Sequence, residues 1–221
     1  MRAHGSHLQH WPVAEATPTV FVVDDDISVR ESLELLICCA GWRPELFDSA
    51  KQFLAHSRVS APSCLVLDVS LPDLNGLELQ ARVSAEQTSL PIIFITGHHD
   101  VPTTVRAMKA GAVEFLTKPF NDEVLISAVR NALERSQAAQ QHDAQLRALR
   151  DSYASLSRRE REVMACVVSG LLNKEVGSQL GISEITVKAH RGKVMQKMKA
   201  SSLAALVNMA AGLGLTPASW V

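Results

Sequence analysis

The chain has 221 residues, of which 47% are hydrophobic and 20% charged, and its formal net charge is −1. This is the composition of a globular protein, which argues against extended disorder and leaves room for two modest domains. No run of about 18 apolar residues occurs, so we expect no membrane span and a cytoplasmic protein.

The small net charge conceals an asymmetry between the two halves of the chain. Acidic residues outnumber basic ones by 15 to 9 between residues 19 and 133, whereas basic residues outnumber acidic ones by 9 to 4 between residues 156 and 207. A basic second half favours contact with nucleic acid, although a chance excess on a solvated surface gives the same count.

The N-terminus and the cysteines indicate no special chemistry. Residues 1–17 lack the apolar core of a signal peptide and include a Gly-Ser-His tripeptide that resembles the remnant of a cleaved affinity tag, so we expect a disordered segment outside the fold. The four cysteines lack metal-ligand spacing, which argues against disulfides and zinc. Cys38 and Cys39 lie in an apolar helical run and are predicted to be small core residues.

Between residues 19 and 133, short apolar runs alternate with amphipathic stretches. The runs are rich in Leu or β-branched residues and bounded by Asp, Pro or Gly, which is typical of buried parallel strands. The predicted strands are 20–23, 43–47, 64–67, 92–95 and 113–116, and the predicted helices are 28–40, 50–55, 76–84, 101–110 and 122–133. This alternation predicts an α/β doubly wound five-stranded parallel sheet.

Polar residues follow four of the five predicted strands. Asp24 and Asp25 follow the first strand, Asp68 the third, Thr96 the fourth and Lys118 the last. Each alone is the usual composition of a turn. Because ligands bind beyond the carboxyl ends of parallel strands, the four strand ends together favour a site at one edge of the sheet.

The three carboxylates predict a magnesium site and a phosphoryl acceptor. Packed together they repel one another unless a cation lies among them, and all-oxygen ligands favour a hard ion such as Mg²⁺. With the ion bound, Asp68 can attack phosphorus and form an aspartyl-phosphate. Thr96, Lys118 and the backbone N–H groups of Ser70 and Gly97 can then neutralise the phosphoryl charge.

These residues carry a resemblance that spans residues 19–133. The segments at residues 22–26, 65–76, 94–97 and 115–120 resemble the signature motifs of two-component receiver domains. The resemblance implies that a sensor histidine kinase phosphorylates Asp68. It also implies that Asp25 and the backbone carbonyl of Ser70 join Asp68 on Mg²⁺, and that Asp24 reaches the metal through water.

The same resemblance assigns the switch. It implies that Thr96 and Lys118 hold the phosphoryl group and that Phe115 is the aromatic side chain that moves inward when Thr96 shifts. Residues 96–112 are similar to the FixJ branch in particular, which generally has Gly where this chain has His99. A stiffer loop that alters switching and a solvent-facing His99 without a role both remain open.

From residue 134 to 155 the composition shifts to Gln, Ala and Arg, without Pro or Gly. The residues Ala139, His142, Leu146, Leu149, Tyr153 and Leu156 step by three and four. This heptad-like seam predicts a helical linker at 134–155. A coiled coil with a second chain and a solvated single helix are both open, because so short a seam is weak alone.

From residue 156 onward the pattern is helical throughout. Ser157 and Glu160 predict a capping box at the start of the first helix, and Gly170 and Gly181 end the first and second helices. The later helices are expected at residues 173–180, 184–198 and 201–211. Four short helices with a Gly-containing turn between the second and third describe a helix-turn-helix domain.

The third of these helices has the character of a DNA-recognition helix, whose N-terminal part meets base edges in the major groove. The predicted DNA contacts are Thr186, Lys188, Ala189, Arg191, Lys193 and Lys197. Lys and Arg can contact guanine or phosphate, and Ala or a Thr methyl can touch a thymine methyl. Val187 and Val194 are expected in the core, and His190 is expected to pack within the domain.

The segments at residues 156–163, 170–176 and 180–190 resemble the LuxR/GerE-type output domain. The resemblance implies a four-helix module that binds promoter DNA as a dimer, with helices at 186–198 in adjacent major grooves. Many relatives carry a side chain where this chain has Gly192, so one base or phosphate contact is expected to be missing.

Together the motifs predict a phosphorylation-activated DNA-binding transcriptional regulator of the FixJ branch, and not an enzyme beyond slow self-phosphorylation and self-dephosphorylation. The expected order is a receiver domain at 18–133, the linker, a helix-turn-helix domain at 156–211 and a tail at 212–221. We expect a homodimer on activation, with RNA polymerase as a further candidate partner.

Two alternatives from other classes stay open. A Mg²⁺-dependent phosphohydrolase would use Asp68 catalytically, but it needs a second acid–base carboxylate and a substrate pocket that the sequence does not indicate. A DNA-binding protein independent of phosphorylation is the other, and the intact acidic residues argue against it.

Overall fold

The computed structural model describes residues 17–57, 61–85, 90–97 and 101–215, which fall into two compact units that divide after Gln140. Residues 1–16 of the expected tag remnant and disordered N-terminus at 1–17, His99 and residues 216–221 of the predicted tail lie outside the described residues. Within the described residues, no helix is long and apolar enough to cross a membrane.

The first unit is built on a five-stranded parallel sheet with the strand order β2-β1-β3-β4-β5. Its strands are β1 (Thr19–Val23), β2 (Arg43–Phe47), β3 (Ser63–Asp68), β4 (Ile92–Thr96) and β5 (Glu114–Thr117). Its helices are α1 (Ile27–Cys39), α2 (Ala50–Ala55), α3 (Gly76–Ala85), α4 (Val101–Lys109) and the start of α5 (Asp122–Ala154). The predicted doubly wound sheet is confirmed, and this order places the carboxyl ends of β1 and β3 side by side at the point where the winding reverses.

Side chains of the central strands alternate between two cores. Val20 and Val22 of β1 pack on the face covered by α1 and α5, whereas Phe21 and Val23 pack on the face covered by α2, α3 and α4. Because both faces are covered, β1, β3 and β4 are buried along their whole length. The polar residues that follow these strands are therefore held on a rigid support.

The prediction that Cys38 and Cys39 are core residues is wrong, because both are exposed. Leu33 and Ile37, four residues apart, are the buried side chains of α1. Cys38 and Cys39 lie one and two positions further around the helix, which turns them away from the sheet.

The predicted helix at 122–133 and the predicted linker helix form one helix of 33 residues, α5. Beyond residue 133 it is still bound to the sheet, because Ser136 Oγ accepts the Ser63 N–H at 3.0 Å and Gln140 Nε2 donates to the Ala61 carbonyl at 3.0 Å. The linker range 134–155 predicted from the sequence therefore begins inside the first compact unit.

The second unit contains the predicted four short helices after the end of α5. They are α6 (Arg158–Val168), α7 (Asn173–Leu180), α8 (Glu184–Lys197) and α9 (Leu203–Gly212). The capping box of Ser157 and Glu160 is present, and Ser183 caps α8 by accepting the Thr186 N–H. Val187 and Val194 lie in the core of this unit, as expected.

The turn between α7 and α8 depends on two glycines. Gly181 ends α7 in the left-handed conformation with φ 66°. A Cβ at Gly177 would lie 2.7 Å from the Ile182 carbonyl oxygen, so no larger residue fits without a shift of the backbone. These two positions bring α7 and α8 into the close contact typical of a helix-turn-helix.

Candidate functional site

The carboxyl edge of the sheet brings the three predicted carboxylates together. One carboxylate oxygen each from Asp24, Asp25 and Asp68 lies within 4.8 Å of the others. Asp24 and Asp68 are buried, whereas Asp25 is exposed and open to solvent. The convergence expected from the strand ends is therefore present in the structure.

Lys118 provides a positive charge at this carboxylate cluster. Its Nζ lies 2.6 Å from Asp24 Oδ2 and 3.5 Å from Asp68 Oδ1. The backbone N–H of Lys118 donates to the Thr96 carbonyl at 2.7 Å, which ties the end of β5 to the end of β4. The peptide bond between Lys118 and Pro119 is cis. Thr96 itself is fully buried at the end of β4.

Asp24 is held in place by its own loop. Its Oδ1 accepts the Asp26 N–H at 2.9 Å, and its backbone carbonyl accepts Arg30 Nη1 at 2.6 Å. Asp26 caps α1 by accepting the Ser28 N–H at 2.8 Å. Arg30 and Asp26 were not among the predicted site residues, although the spacing of Asp26 before the apolar pattern of α1 is typical of an N-cap.

Asp68 lies in an environment that disfavours its charge. Burial raises the pKa of its carboxyl group, Lys118 lowers it, and the neighbouring Asp24 and Asp25 raise it further, so that the net direction is upward. Asp68 Oδ1 is buried and has no hydrogen-bond partner among the described residues. A hard cation among these oxygens would relieve the repulsion and fill that missing contact, so the residues present fit Mg²⁺.

The loop after β3 is anchored on both sides. A Cβ at Gly76 would lie 2.6 Å from the Asp68 carbonyl oxygen, so glycine is required where α3 begins. Further along the loop, the carboxylate of Asp73 accepts the N–H groups of Ala50 and Lys51 at 3.2 and 3.0 Å. This contact ties the loop that contains the exposed Ser70 to the start of α2.

Phe115, the predicted switch residue, lies on β5 next to Phe94 of β4. It is half-buried on β5 and pairs with Phe94 in the register of the sheet. The two ring centroids are 6.0 Å apart with an interplanar angle of 38°. Phe115 is thus in contact with the core on one side and close to solvent on the other.

The second candidate surface is the exposed side of α8. Lys188, Ala189 and Lys193 are exposed there. Lys188 Nζ lies 3.1 Å from Glu184 Oε1, and Thr186 Oγ1 lies 2.8 Å from the Ser183 hydroxyl. The cationic groups of this surface can therefore reach an external partner.

Two of the predicted DNA contacts also have partners within the domain. Arg191 Nη1 donates to Asn173 Oδ1 at 3.1 Å, which joins α8 to the start of α7. Lys197 Nζ lies 2.7 Å from Glu160 Oε2 and 3.1 Å from the Ser155 carbonyl oxygen. Lys197 therefore ties the end of α8 to the start of α6.

His190 is half-buried, and its Nδ1 is buried without a hydrogen-bond partner among the described residues. The expected packing of His190 within the domain agrees with this burial.

Known proteins resemble both units of the chain. Residues 20–130 match the family described as "Response regulator receiver domain", and residues 154–210 match "Bacterial regulatory proteins, luxR family". Nodulation protein W of Bradyrhizobium diazoefficiens is 46% identical over 215 residues, which are 97% of this chain and 93% of that protein. Transcriptional regulatory protein FixJ of Rhizobium meliloti is 43% identical over 199 residues, which are 90% of this chain and 98% of that protein.

Solved structures of response regulators also resemble this chain. The response regulator StyR is 46% identical and matches with a TM-score of 0.82 over 89% of this chain and 99% of its own. Full-length FixJ from B. japonicum is 40% identical and matches with a TM-score of 0.52 over 90% of this chain and 98% of its own. The chain is therefore a phosphorylation-activated DNA-binding transcriptional regulator and not a classical enzyme. It belongs to the two-component response regulators of the FixJ branch, which join a receiver domain to a LuxR-type helix-turn-helix domain.

Proposed function

We propose that Asp68 is the phosphoryl acceptor of this regulator and that a sensor histidine kinase is the donor. The clustering of three carboxylates with Lys118 carries this proposal, and the hydrogen bonds distinguish Asp68 from Asp24. Both carboxylate oxygens of Asp24 are engaged, one by the Asp26 N–H and one by Lys118. Asp68 Oδ1 accepts no hydrogen bond from the described residues, and its contact with Lys118 Nζ is the longer one at 3.5 Å, which supports Asp68 as the group that attacks phosphorus.

The pocket performs the transfer by positioning and by neutralising charge. An oxygen of Asp68 forms the new O–P bond while the N–P bond of the phosphohistidine breaks. The ammonium of Lys118, the hydroxyl of Thr96 and the backbone N–H groups of Ser70 and Gly97 hold the phosphoryl oxygens. Mg²⁺, which would be held by Asp25, Asp68 and the Ser70 carbonyl with Asp24 behind a water, supplies further charge neutralisation when bound.

The same pocket supports slow self-phosphorylation from small phosphodonors and slow hydrolysis of the aspartyl-phosphate. A shift of Thr96 on phosphoryl binding would let Phe115 move inward toward the core beside Phe94, and this movement is the proposed switch. The cytoplasmic location predicted from the sequence stays a prediction.

Promoter DNA is the proposed target of α8. Thr186, Lys188, Ala189, Arg191 and Lys193 are the proposed contacts, since they lie on its N-terminal part or exposed side. The predicted contact of Lys197 has less support, because its ammonium is already engaged by the buried Glu160.

Homodimerisation on activation is supported by exposed apolar side chains. Val101, Val105 and Met108 of α4 are exposed and lie on one face of the helix at a spacing of four and three residues. Leu203 and Val207 of α9 are exposed at a spacing of four. Several exposed apolar side chains on one face of a helix favour an interaction site there. RNA polymerase remains a proposed partner of the DNA-bound form.

Incubation of the full chain with acetyl phosphate and Mg²⁺, followed by separation on a phosphate-binding gel, tests the acceptor. We expect the wild type to gain one phosphoryl group and Asp68→Asn to gain none. Asp26→Asn is the matched control, because Asn also caps a helix and should leave labelling unchanged. Labelling of Asp68→Asn at the wild-type rate would overturn the assignment.

A further inference from the structure

The exposed side of α8 contains an apolar side chain that nothing in the domain covers. Ile185 is 80% exposed, the highest value among the exposed large hydrophobic residues of the described part of the chain. Residues three and four apart share a face of a helix, so Ile185 lies on the same face as Ala189 and Gly192. Val187 and Val194 point the other way, into the core.

Gly192 lies on this face without a structural reason inside the protein. A Cβ built on it would meet nothing within 4 Å, whereas a Cβ on Gly177 would lie 2.7 Å from the Ile182 carbonyl oxygen. Its φ is not positive, so an ordinary residue can adopt its conformation. Glycine inside a helix is less favourable than alanine, so Gly192 weakens α8 with no gain in packing.

We propose that Ile185 and Gly192 determine the sequence preference of this regulator: Ile185 packs against the C5-methyl group of a thymine, and Gly192 lets the α8 backbone approach the base edges. This inference rests on the proposed function, in which the exposed face of α8 enters the major groove. An exposed isoleucine and an unneeded glycine on one face are both explained if that face meets a closely fitting surface.

The charges beside this strip favour DNA as that surface. Lys188 and Lys193 are exposed near Ile185 and Gly192, and the one acidic residue of α8, Glu184, is paired with Lys188. An apolar centre with cationic flanks matches a groove in which phosphates line the edges and the thymine methyl is the apolar group on the base edges.

Selection from a random duplex library by the full chain, activated with Mg²⁺ and BeF₃⁻, yields the preferred site. Each thymine of one half-site is then replaced by uracil, which removes only the methyl group. We expect one position at which this replacement weakens wild-type binding by about three- to fivefold, as for the loss of one buried methyl contact. Ile185→Ala should show no loss at that position, and Leu35→Ala, which truncates an exposed leucine of α1, should behave as the wild type.

Gly192→Ala tests the close approach. We expect its thermal unfolding midpoint to stay equal or rise while its affinity for the selected site falls about fivefold or more, as for an overpacked contact. Equal affinity for Gly192→Ala would overturn the role of Gly192, and the same uracil pattern in wild type and Ile185→Ala would overturn the role of Ile185. A wild type that selects no sequence at all would instead overturn the proposed contact of α8 with promoter DNA.

Discussion

Gly76 shows how a single position supports the chemistry of Asp68. A methyl group on Gly76 would lie 2.6 Å from the Asp68 carbonyl oxygen and 3.0 Å from Val69 Cα, and neither backbone atom can turn aside. We therefore expect Gly76→Ala to shift the end of β3, to lower the free energy of unfolding by about 1–3 kcal/mol and to slow phosphorylation. Urea denaturation and the acetyl phosphate reaction measure the two effects. Gly192→Ala, whose methyl meets open space, should show neither.

The raised pKa of Asp68 predicts how pH and metal act on stability. A carboxyl group whose pKa is higher in the folded state destabilises that state at high pH, and the penalty shrinks as pH falls below the raised pKa and is gone below the ordinary value of 3.8. In EDTA at pH 7.5, Asp68→Asn should therefore melt at a higher temperature than the wild type, and the difference should shrink at acidic pH. Mg²⁺ should stabilise the wild type and have little effect on Asp68→Asn. Equal stabilisation of both proteins by Mg²⁺ would contradict a metal site at Asp68.

For single residues, the sequence predicts the positions of side chains that follow strands better than the positions of side chains that hold the loops in place. Asp24, Asp68 and Lys118 could be placed because the ends of parallel strands meet at one edge of a sheet. The contact of Asp73 with the start of α2 could not, because it joins two loops whose paths depend on the whole fold. The prediction that Cys38 is a core residue failed for a different reason, since an apolar run does not define which side of a helix faces the core.

Among the helices, α6 and α8 are joined by an ion pair between the buried Glu160 and the partly exposed Lys197, in addition to their shared apolar core. The hydrogen bond from Lys197 and the one from the Ser157 N–H lower the pKa of Glu160 to about 2. Such a depressed pKa contributes stability that is present above the ordinary value of 4.5 and is lost as pH falls toward 2.

Lys197→Ala should therefore destabilise the second unit by about 1–3 kcal/mol at pH 7, because it leaves a buried carboxylate without its cationic partner. The loss should be smaller at pH 3, because Glu160 stays ionised in the folded wild type there but is protonated in the unfolded chain, so part of the stabilisation by the ionised group is already lost. Urea denaturation at the two pH values measures it. Lys193→Ala, at an exposed lysine of the same helix, should leave stability unchanged at both. An equal loss at both pH values would assign the effect of Lys197 to packing.

For helix α5, the sequence pattern predicts that a helix forms but not where that helix leaves the sheet. The helical character of residues 122–154 follows from a segment without Pro or Gly after residue 121. The point at which the helix leaves the sheet cannot be predicted from the sequence in this way. It is marked by the polar residues Ser136 and Gln140, whose partners, Ser63 and Ala61, lie more than 70 positions away in the chain. Periodicity reports a helix and its apolar face, whereas such distant polar contacts require the folded sheet.

For the whole molecule, activation has to connect a pocket in one domain to DNA binding by another, and dimerisation can do so without any fixed contact between the two domains. A shift from 1:99 to 99:1 in favour of the active form requires about 5.5 kcal/mol of differential stabilisation. Two linked DNA-binding domains on one operator also neutralise more phosphates than one domain does. Dimerisation therefore raises affinity and salt dependence together.

Val105→Arg places a charge in the exposed apolar face of α4 and separates these effects. We expect this variant to accept phosphate on Asp68 at the wild-type rate but to sediment as a monomer with Mg²⁺ and BeF₃⁻. Its DNA affinity should fall, and the slope of log K against log salt should be about half that of the wild-type dimer, since each lost phosphate contact removes about 0.9 from the slope. Leu35→Arg adds the same charge at an exposed leucine of α1 and should leave both mass and slope unchanged. A wild-type slope in a Val105→Arg monomer would mean that one domain already makes all the phosphate contacts, and that activation acts on the domain itself.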